Sequence, residues 1–317
     1  MLQNIAVGVD GSPASLAAAH WAAHEARRRG TGLSVVHAWY RHPRPAPYIP
    51  MDRTEHDRAE EIMREAVSGL RAAHPDLRIT ERLVCDSTVA ALVAAGADSD
   101  MLVLGSHGLG TVAGFVTGSV SQRVVARCTH PVVLVRAGRG AAGDHLPAVD
   151  GVAPEEIPKT PYREVVLGLH TGHPADEVIE FAFEAARRRG TGLRVVHAFR
   201  SPTRPVSDAS LVVTPPASGR PATDRRAEPQ ARAQAQADAE RAVSAVLRPW
   251  REKYPRVPVT ESVAEGRAAV TLVHSAEHAG LLVVGRRASH RLGVLVGPVA
   301  HAALHHAGCP VAVVPHG

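Results

Sequence analysis

The chain has 317 residues with 45% hydrophobic residues, a size that suits two domains, each able to bury its own core. No apolar run approaches the roughly 18 to 20 residues that a membrane helix needs, and no basic-then-apolar leader precedes residues 5–9, so a cytoplasmic protein without a membrane anchor is expected. The net charge of +5 is modest and comes without a basic helix or interleaved aromatic residues, which disfavours nucleic acid as a partner.

Strands and helices alternate through the first half of the chain. Residues 5–9 form a short β-branched run, and the helix that follows is expected to have Ser12 as N-cap, Pro13 in its first turn and Gly30 as C-cap. Its apolar spacing turns Leu16 and several alanines inward. Further strands are predicted at 33–38, 79–84, 101–104 and 132–135, with helices at 53–73, 88–97 and 119–128.

The second half of the chain repeats the first. Residues 27–38 return at 187–198 with one substitution, and the strand-helix order continues to residue 314. A stretch rich in Gly, Ala and Pro separates the copies. The predicted domains are therefore residues 1–137 and 162–317, joined by a linker at 138–161.

Strands that are apolar on both faces and separated by helices predict an α/β fold with a parallel sheet covered on both sides. We expect two tandem Rossmann-like sandwich domains, each with five parallel strands in the order 3-2-1-4-5. In that order ligands collect at the carboxyl ends of strands one and four. Asp10-Gly11-Ser12 follows strand one, and the glycine-rich stretch 104–121 follows strand four.

A glycine-rich loop that leads into a helix is typical of an anion site, because glycine allows close backbone approach and the helix start presents N–H groups. The only lysines are Lys159 and Lys253, so a Gly-Lys-Ser/Thr phosphate loop is excluded. A phosphate here would be neutralised by amides, hydroxyls and a helix dipole, with Mg²⁺.

The spacing of Gly105, Gly108, Gly118 and Ser119 resembles the ATP-binding signature of the universal stress protein family in its tandem form. Residues 9–12, 36–38 and 128–135 support the resemblance, which covers nearly the whole chain apart from the linker and long loops. It implies a cytoplasmic, ATP-binding stress-response protein whose nucleotide changes its conformation or its choice of an unknown protein partner. It also implies that Val132–Val135 pairs with Val311–Val314 within one chain, and it leaves a homodimer open.

The resemblance also assigns roles. Asp10 would lie near adenine and ribose, Ala38 would contact adenine, and Gly108 would let the loop fold over the phosphates. The full predicted ATP-binding set is Val9, Asp10, Gly11, Ser12, Ala38, Leu104, Gly105, Ser106, His107, Gly108, Gly118, Ser119, Val120 and Ser121. No catalytic set and no protein-derived metal cluster is visible, so we expect no enzyme and at most slow, incidental ATP hydrolysis.

Purely structural interpretations of these residues remain open beside the roles in ligand binding. Asp10 could only cap a helix, Ser119 could be an N-cap without a ligand, and the arginine triplets 27–29 and 187–189 could serve only their helix dipoles. The chain as a whole could be an interaction module that does not use nucleotide, or an enzyme acting on an adenylate.

The second copy departs from the ATP signature. His170 stands at the place of Asp10, Ala288 at that of Gly108 and Pro298 at that of Ser119. Proline has neither a hydroxyl nor an N–H to donate. The sequence therefore predicts that the second copy binds ATP weakly or not at all.

Overall fold

The computed structural model describes residues 4–40, 52–106, 118–137, 161–200, 224–287 and 296–317. The first repeat contributes β1 (Asn4–Gly8), α1 (Pro13–Arg29), β2 (Gly32–Trp39), α2 (Asp52–Ala73), β3 (Ile79–Cys85), α3 (Thr88–Ala97), β4 (Met101–Ser106), α4 (Ser119–Arg127) and β5 (Val132–Arg136). The second contributes β6 (Val165–Gly168), α5 (Asp176–Arg189), β7 (Leu193–Phe199), α6 (Asp224–Lys253), β8 (Val259–Glu265), α7 (Ala268–Ser275), β9 (Leu281–Arg287), α8 (Pro298–His306) and β10 (Val311–His316).

All ten of these strands belong to one sheet, in the order β3-β2-β1-β4-β5-β10-β9-β6-β7-β8. Strands within each repeat pair in parallel, and the predicted order 3-2-1-4-5 is confirmed twice. The predicted pairing of the two last strands is also confirmed: β5 and β10 run antiparallel, with Val132 opposite Val313. Joining them covers an edge that would otherwise leave backbone groups of each repeat unpaired.

Helix α1 forms where the sequence predicts it. Ser12 is extended and its hydroxyl accepts from the Ser15 N–H at 3.2 Å, while Gly30 ends the helix in the left-handed region at φ 65°. The inward face is built from alanines such as Ala18 and Ala22, which are fully buried. The expectation that Leu16 points inward is wrong, since its side chain is 37% exposed. Small residues on this face let α1 lie close to the sheet.

The sheet is covered on both faces, as parallel sheets require. One core contains Met101 and Val133, and the other contains Leu102 and Leu134 from the opposite faces of the same two strands, β4 and β5. In the described parts of the chain, no helix is both long and apolar enough to cross a membrane.

The two repeats also meet through helices α1 and α5, around the buried carboxylate of Glu25. It accepts hydrogen bonds from Arg28 at 3.0 Å, Arg29 at 2.7 Å and Arg189 of the second repeat at 2.8 Å. Burial alone would raise the pKa of Glu25, but the three guanidinium groups outweigh it and hold the pKa well below its ordinary value. The arginine triplets do lie in the last helical turns, yet they are not restricted to serving the helix dipole.

Candidate functional site

A cavity of about 350 Å³ opens at the carboxyl ends of β1 and β4, between α1, α3 and α4. We call it the first cavity. Its lining is Gly8, Val9, Asp10, Ser12, Ser15, Val36, His37, Ala38, Thr88, Leu92, Leu104, Gly105, Gly118, Ser119, Val120 and Ser121. The structure thus brings together the sequence-predicted residues except for Gly11 and Ser106. His107 and Gly108 lie outside the described residues.

Asp10 closes the turn between β1 and α1. Its Oδ1 accepts from the Ser12 N–H at 2.9 Å, and its own N–H donates to the Ser15 Oγ at 3.2 Å. The Ser15 hydroxyl in turn donates to the Ser12 carbonyl at 2.9 Å. The carboxylate therefore has a structural task in this turn while its residue lines the first cavity, so the turn-capping role and a ligand contact are compatible.

Two of the predicted residues lie beside the first cavity and do not line it. Gly11 is in the left-handed region at φ 79°, and a side chain there would contact Ile62 of α2. Ser106 is buried, and its hydroxyl donates to the Val135 carbonyl at 3.4 Å, which ties β4 to β5. Neither residue lines the first cavity, so their place in the ATP-binding set stays a prediction beside these structural roles.

Gly105 lines the first cavity, but packing also demands a glycine there. A Cβ at this position would lie 2.5 Å from the carbonyl carbon of Ala14 and 2.6 Å from the Ser15 nitrogen. These are backbone atoms of α1, which cannot rotate away. The matching Gly285 is less constrained, because the atoms nearest to its Cβ would belong to side chains, His316 at 3.0 Å and Val178 at 3.1 Å.

We predict that Gly105→Ala lowers the melting temperature of the protein far more than Gly285→Ala. Forcing a methyl group against backbone costs about 1–3 kcal/mol or more, whereas side chains can move by a few tenths of an ångström. Thermal denaturation followed by circular dichroism measures both variants. Equal small shifts would show that α1 can retreat from β4, and that Gly105 is kept for the cavity alone.

The start of α4 forms one wall of the first cavity. Gly118 is the N-cap, with φ −54° and ψ 146°, and it makes no side-chain capping bond. Ser119 is the first helical residue, so the alternative that Ser119 is the N-cap is wrong. The first N–H groups of a helix have no acceptor within the helix, and with Ser119, Val120 and Ser121 lining the cavity they form a set of donors suited to an anion.

His37 is a cavity residue to which the sequence analysis gave no role. Its Nδ1 lies 2.7 Å from the Val9 carbonyl oxygen. A carbonyl only accepts, so Nδ1 carries a proton and donates it to Val9. His197 repeats the arrangement with the Leu169 carbonyl at 3.0 Å. The sequence has a histidine at this position in both repeats, and that repetition was the available signal that it ties β2 to β1 and β7 to β6.

The sequence analysis also missed part of the apolar wall of the first cavity. Val36 and Leu92 are buried and line it together with Leu104 and Ala38. Thr88 and Ser15 add hydroxyls from α3 and α1. Because these residues come from separate elements, no spacing in the sequence links them to the glycine motif. The first cavity thus combines an apolar slot with a mouth of hydroxyls, helix-start amides and one carboxylate.

The second repeat keeps a matching cavity of about 330 Å³, at the carboxyl ends of β6 and β9. We call it the second cavity. Positions that carry Ser15, Thr88, Ser119 and Ser121 in the first cavity are occupied here by Ala175, Ala268, Pro298 and Ala300. His170 stands where Asp10 does. Pro298 is well accommodated as the first residue of α8.

Comparisons with known proteins agree with this architecture. A family model described as the universal stress protein family matches residues 1–136 and 161–315. Universal stress protein Rv2005c of Mycobacterium tuberculosis is 33% identical, over 98% of this chain and 96% of that protein. A universal stress protein structure from Archaeoglobus fulgidus has a TM-score of 0.66 at 15% identity, covering 99% of this chain and 98% of that one. A universal stress protein solved in complex with cAMP is 30% identical, covering 43% of this chain and 98% of its own, at a TM-score of 0.34.

Proposed function

The chain belongs to the universal stress protein family, and on that basis we propose that its first repeat binds ATP in the first cavity. The observation that carries the proposal is the pairing of an apolar slot with the donor-rich start of α4 in one cavity. An adenine ring needs an apolar slot. In a site without lysine, a phosphate chain needs the N–H donors at the start of a helix.

The residues fit the parts of the nucleotide. Val36, Ala38, Leu92 and Leu104 offer apolar contact to adenine, and the Asp10 carboxylate offers an acceptor to ribose hydroxyls. The phosphates would lie along residues 118–121. Among the described residues, no group of three or more His, Cys, Asp or Glu is placed to hold a metal, so Mg²⁺ would arrive with the phosphates.

The second repeat would not share this ligand. Its cavity has Pro298 in place of the Ser119 hydroxyl and N–H, and His170 in place of the Asp10 carboxylate. We therefore expect one ATP per chain, with weak or no binding in the second cavity.

Nucleotide occupancy would act through conformation or partner choice in a cytoplasmic stress response. Helix α1 offers a physical connection, because it begins at the turn of Asp10 and Ser15 and carries Glu25 at the contact with α5. No catalytic role is proposed; any ATP hydrolysis would be slow and incidental. The second candidate function is an interaction module that works without nucleotide, favoured by the loss of donors in the second cavity.

Titration of MgATP into the full chain by isothermal calorimetry tests the proposal. We expect one site, which Leu92→Trp removes by filling the first cavity. The matched Leu272→Trp fills the second cavity and should leave ATP binding unchanged. Absence of binding at millimolar MgATP would favour the interaction module, and two equivalent sites would contradict the distinction between the repeats. Phosphate release in the same sample measures hydrolysis.

A further inference from the structure

The second cavity has lost polar groups without losing space. It measures about 330 Å³ against about 350 Å³ for the first. Of the described residues that line it, none carries a hydroxyl or a carboxyl group. Its walls are aliphatic, with Leu167, Val196, Leu272 and Val284 all buried.

A cavity of this kind is unfavourable when it stays empty. The cavity is open at its mouth, so without a ligand its aliphatic walls face water, and covering that apolar surface is favourable. Larger side chains at the former hydroxyl positions would have closed it. The chain instead has Ala175, Ala268 and Ala300 there, which are smaller than or similar in size to the residues they match. The fold does not need this space, and an apolar ligand could fill it.

The charge around the mouth is reversed relative to the first cavity. Where the first cavity has Asp10, the second has His170, and His173, Arg287 and His316 join it in the lining. The His170 Nδ1 accepts from the His173 N–H at 3.1 Å, and the two rings stack with centroids 5.5 Å apart. The His316 ring lies over Gly285, where a Cβ would be 3.0 Å from it.

Acidic groups do not line the second cavity itself but an adjoining hollow, which shares Arg287 and His316 with it. Asp176 and Glu177, in the first turn of α5, line an adjoining outer cavity together with Arg287 and His316. Inside the second cavity, the ionisable side chains of the described lining are one guanidinium and four imidazoles. A single negative charge at the mouth is therefore compatible with the charges around it, and a guanidinium is well shaped to bind a carboxylate with two hydrogen bonds.

We propose that the second cavity binds an organic acid with an apolar body, the body lying among the aliphatic walls and the carboxylate at Arg287 and the histidines. This goes beyond the ATP site of the first repeat and does not depend on it. The tandem chain would then bind two ligands of different chemistry, a nucleotide in one repeat and an apolar acid in the other.

The test uses the full chain saturated with MgATP, to which decanoate is added below its micelle concentration and followed by calorimetry. Decanol is the neutral control, and 3-phenylpropanoate tells a ring-shaped body from an aliphatic chain. We expect one site per chain for at least one of the acids, and at least about tenfold weaker binding of decanol, because a charge-assisted hydrogen bond is lost.

Matched variants locate the site. Leu272→Trp should remove acid binding and Leu92→Trp should leave it unchanged, while Arg287→Gln should weaken the acid about tenfold and leave decanol unaffected. The proposal is overturned if neither acid binds, if decanol equals decanoate, or if Leu92→Trp and not Leu272→Trp removes binding. Folding of every variant is checked by its melting temperature.

Discussion

Ser119→Pro should abolish ATP binding in the first repeat and leave the fold intact. The second repeat shows that the helix tolerates the change, because α8 begins with Pro298 and its N-cap Gly297 has φ −55° and ψ 158°, close to the φ −54° and ψ 146° of Gly118. Proline is favoured in the first helical turn, and the residue before it is favoured in an extended conformation, which Gly118 already has.

The loss of affinity is expected to be large. Proline removes both the hydroxyl and the N–H of residue 119, each of which would face a charged phosphate. Hydrogen bonds to charged groups contribute about 1.5–3 kcal/mol each, so their joint loss reduces affinity by at least about 100-fold. MgATP calorimetry measures it, with the melting temperature of the ATP-free protein as the test of folding.

Gly118→Val provides a second route to the same result. A Cβ at Gly118 meets no atom of the described chain within 4 Å, so the fold should accept it, while the added side chain enters the wall of the first cavity. The matched Gly297→Val has the same open surroundings in the second repeat and should leave ATP affinity unchanged. Unaltered affinity in both Ser119→Pro and Gly118→Val would refute the assignment of ATP to this site.

The fold could be predicted almost completely from the sequence. The strands are short apolar runs separated by helices, the first of which has clear capping residues, and the repeat supplies a second copy of each element. The pairing of β5 with β10 was implied by the family resemblance alone, and the register confirms it. These features are local or periodic, so they are visible without the three-dimensional structure.

The site could be predicted only where it lies next to the glycine motif or at a strand end. Leu92 and Thr88 come from α3 and Ser15 from the first turn of α1, and only the folded chain brings them to the first cavity. Gly11 and Ser106 entered the predicted set through the family resemblance, and only the structure shows that Gly11 adjoins Ile62 and that Ser106 bonds to Val135. Comparing the copies showed which donors were lost, but it could not show that the space remained.

The largest stability loss is expected from Glu25→Ala, a change that no local pattern identifies as severe. The carboxylate is paired with Arg189, which lies 164 residues away and is as fully buried as Glu25 at 1% side-chain exposure. Ala185 stands at the place in α5 that Glu25 has in α1, so one carboxylate serves arginines from both repeats. Removing it takes from the buried guanidinium groups the carboxylate that they share, at a cost of about 3–5 kcal/mol.

Urea unfolding of the full chain at neutral pH measures this cost, and Glu184→Ala is the control. Glu184 also binds two arginines, Arg187 and Arg188, but within its own helix and near the surface, where an ion pair contributes about 0–1 kcal/mol. Similar small losses in both variants would mean that the contact between α1 and α5 opens without loss of stability.

The pH dependence gives an independent check with a definite sign. The pKa of Glu25 is held low in the folded protein, so its stabilising effect is present above the ordinary carboxyl pKa and is lost as the pH falls below it. His24 acts in the same direction at higher pH: burial is the main reason that its pKa falls to about 4, so its contribution declines between about pH 6.5 and 4. Glu25→Gln should therefore flatten the loss of stability below about pH 4.5 and leave the slope above it, because that part of the curve belongs to His24 together with His20 and His74, whose pKa values burial also lowers.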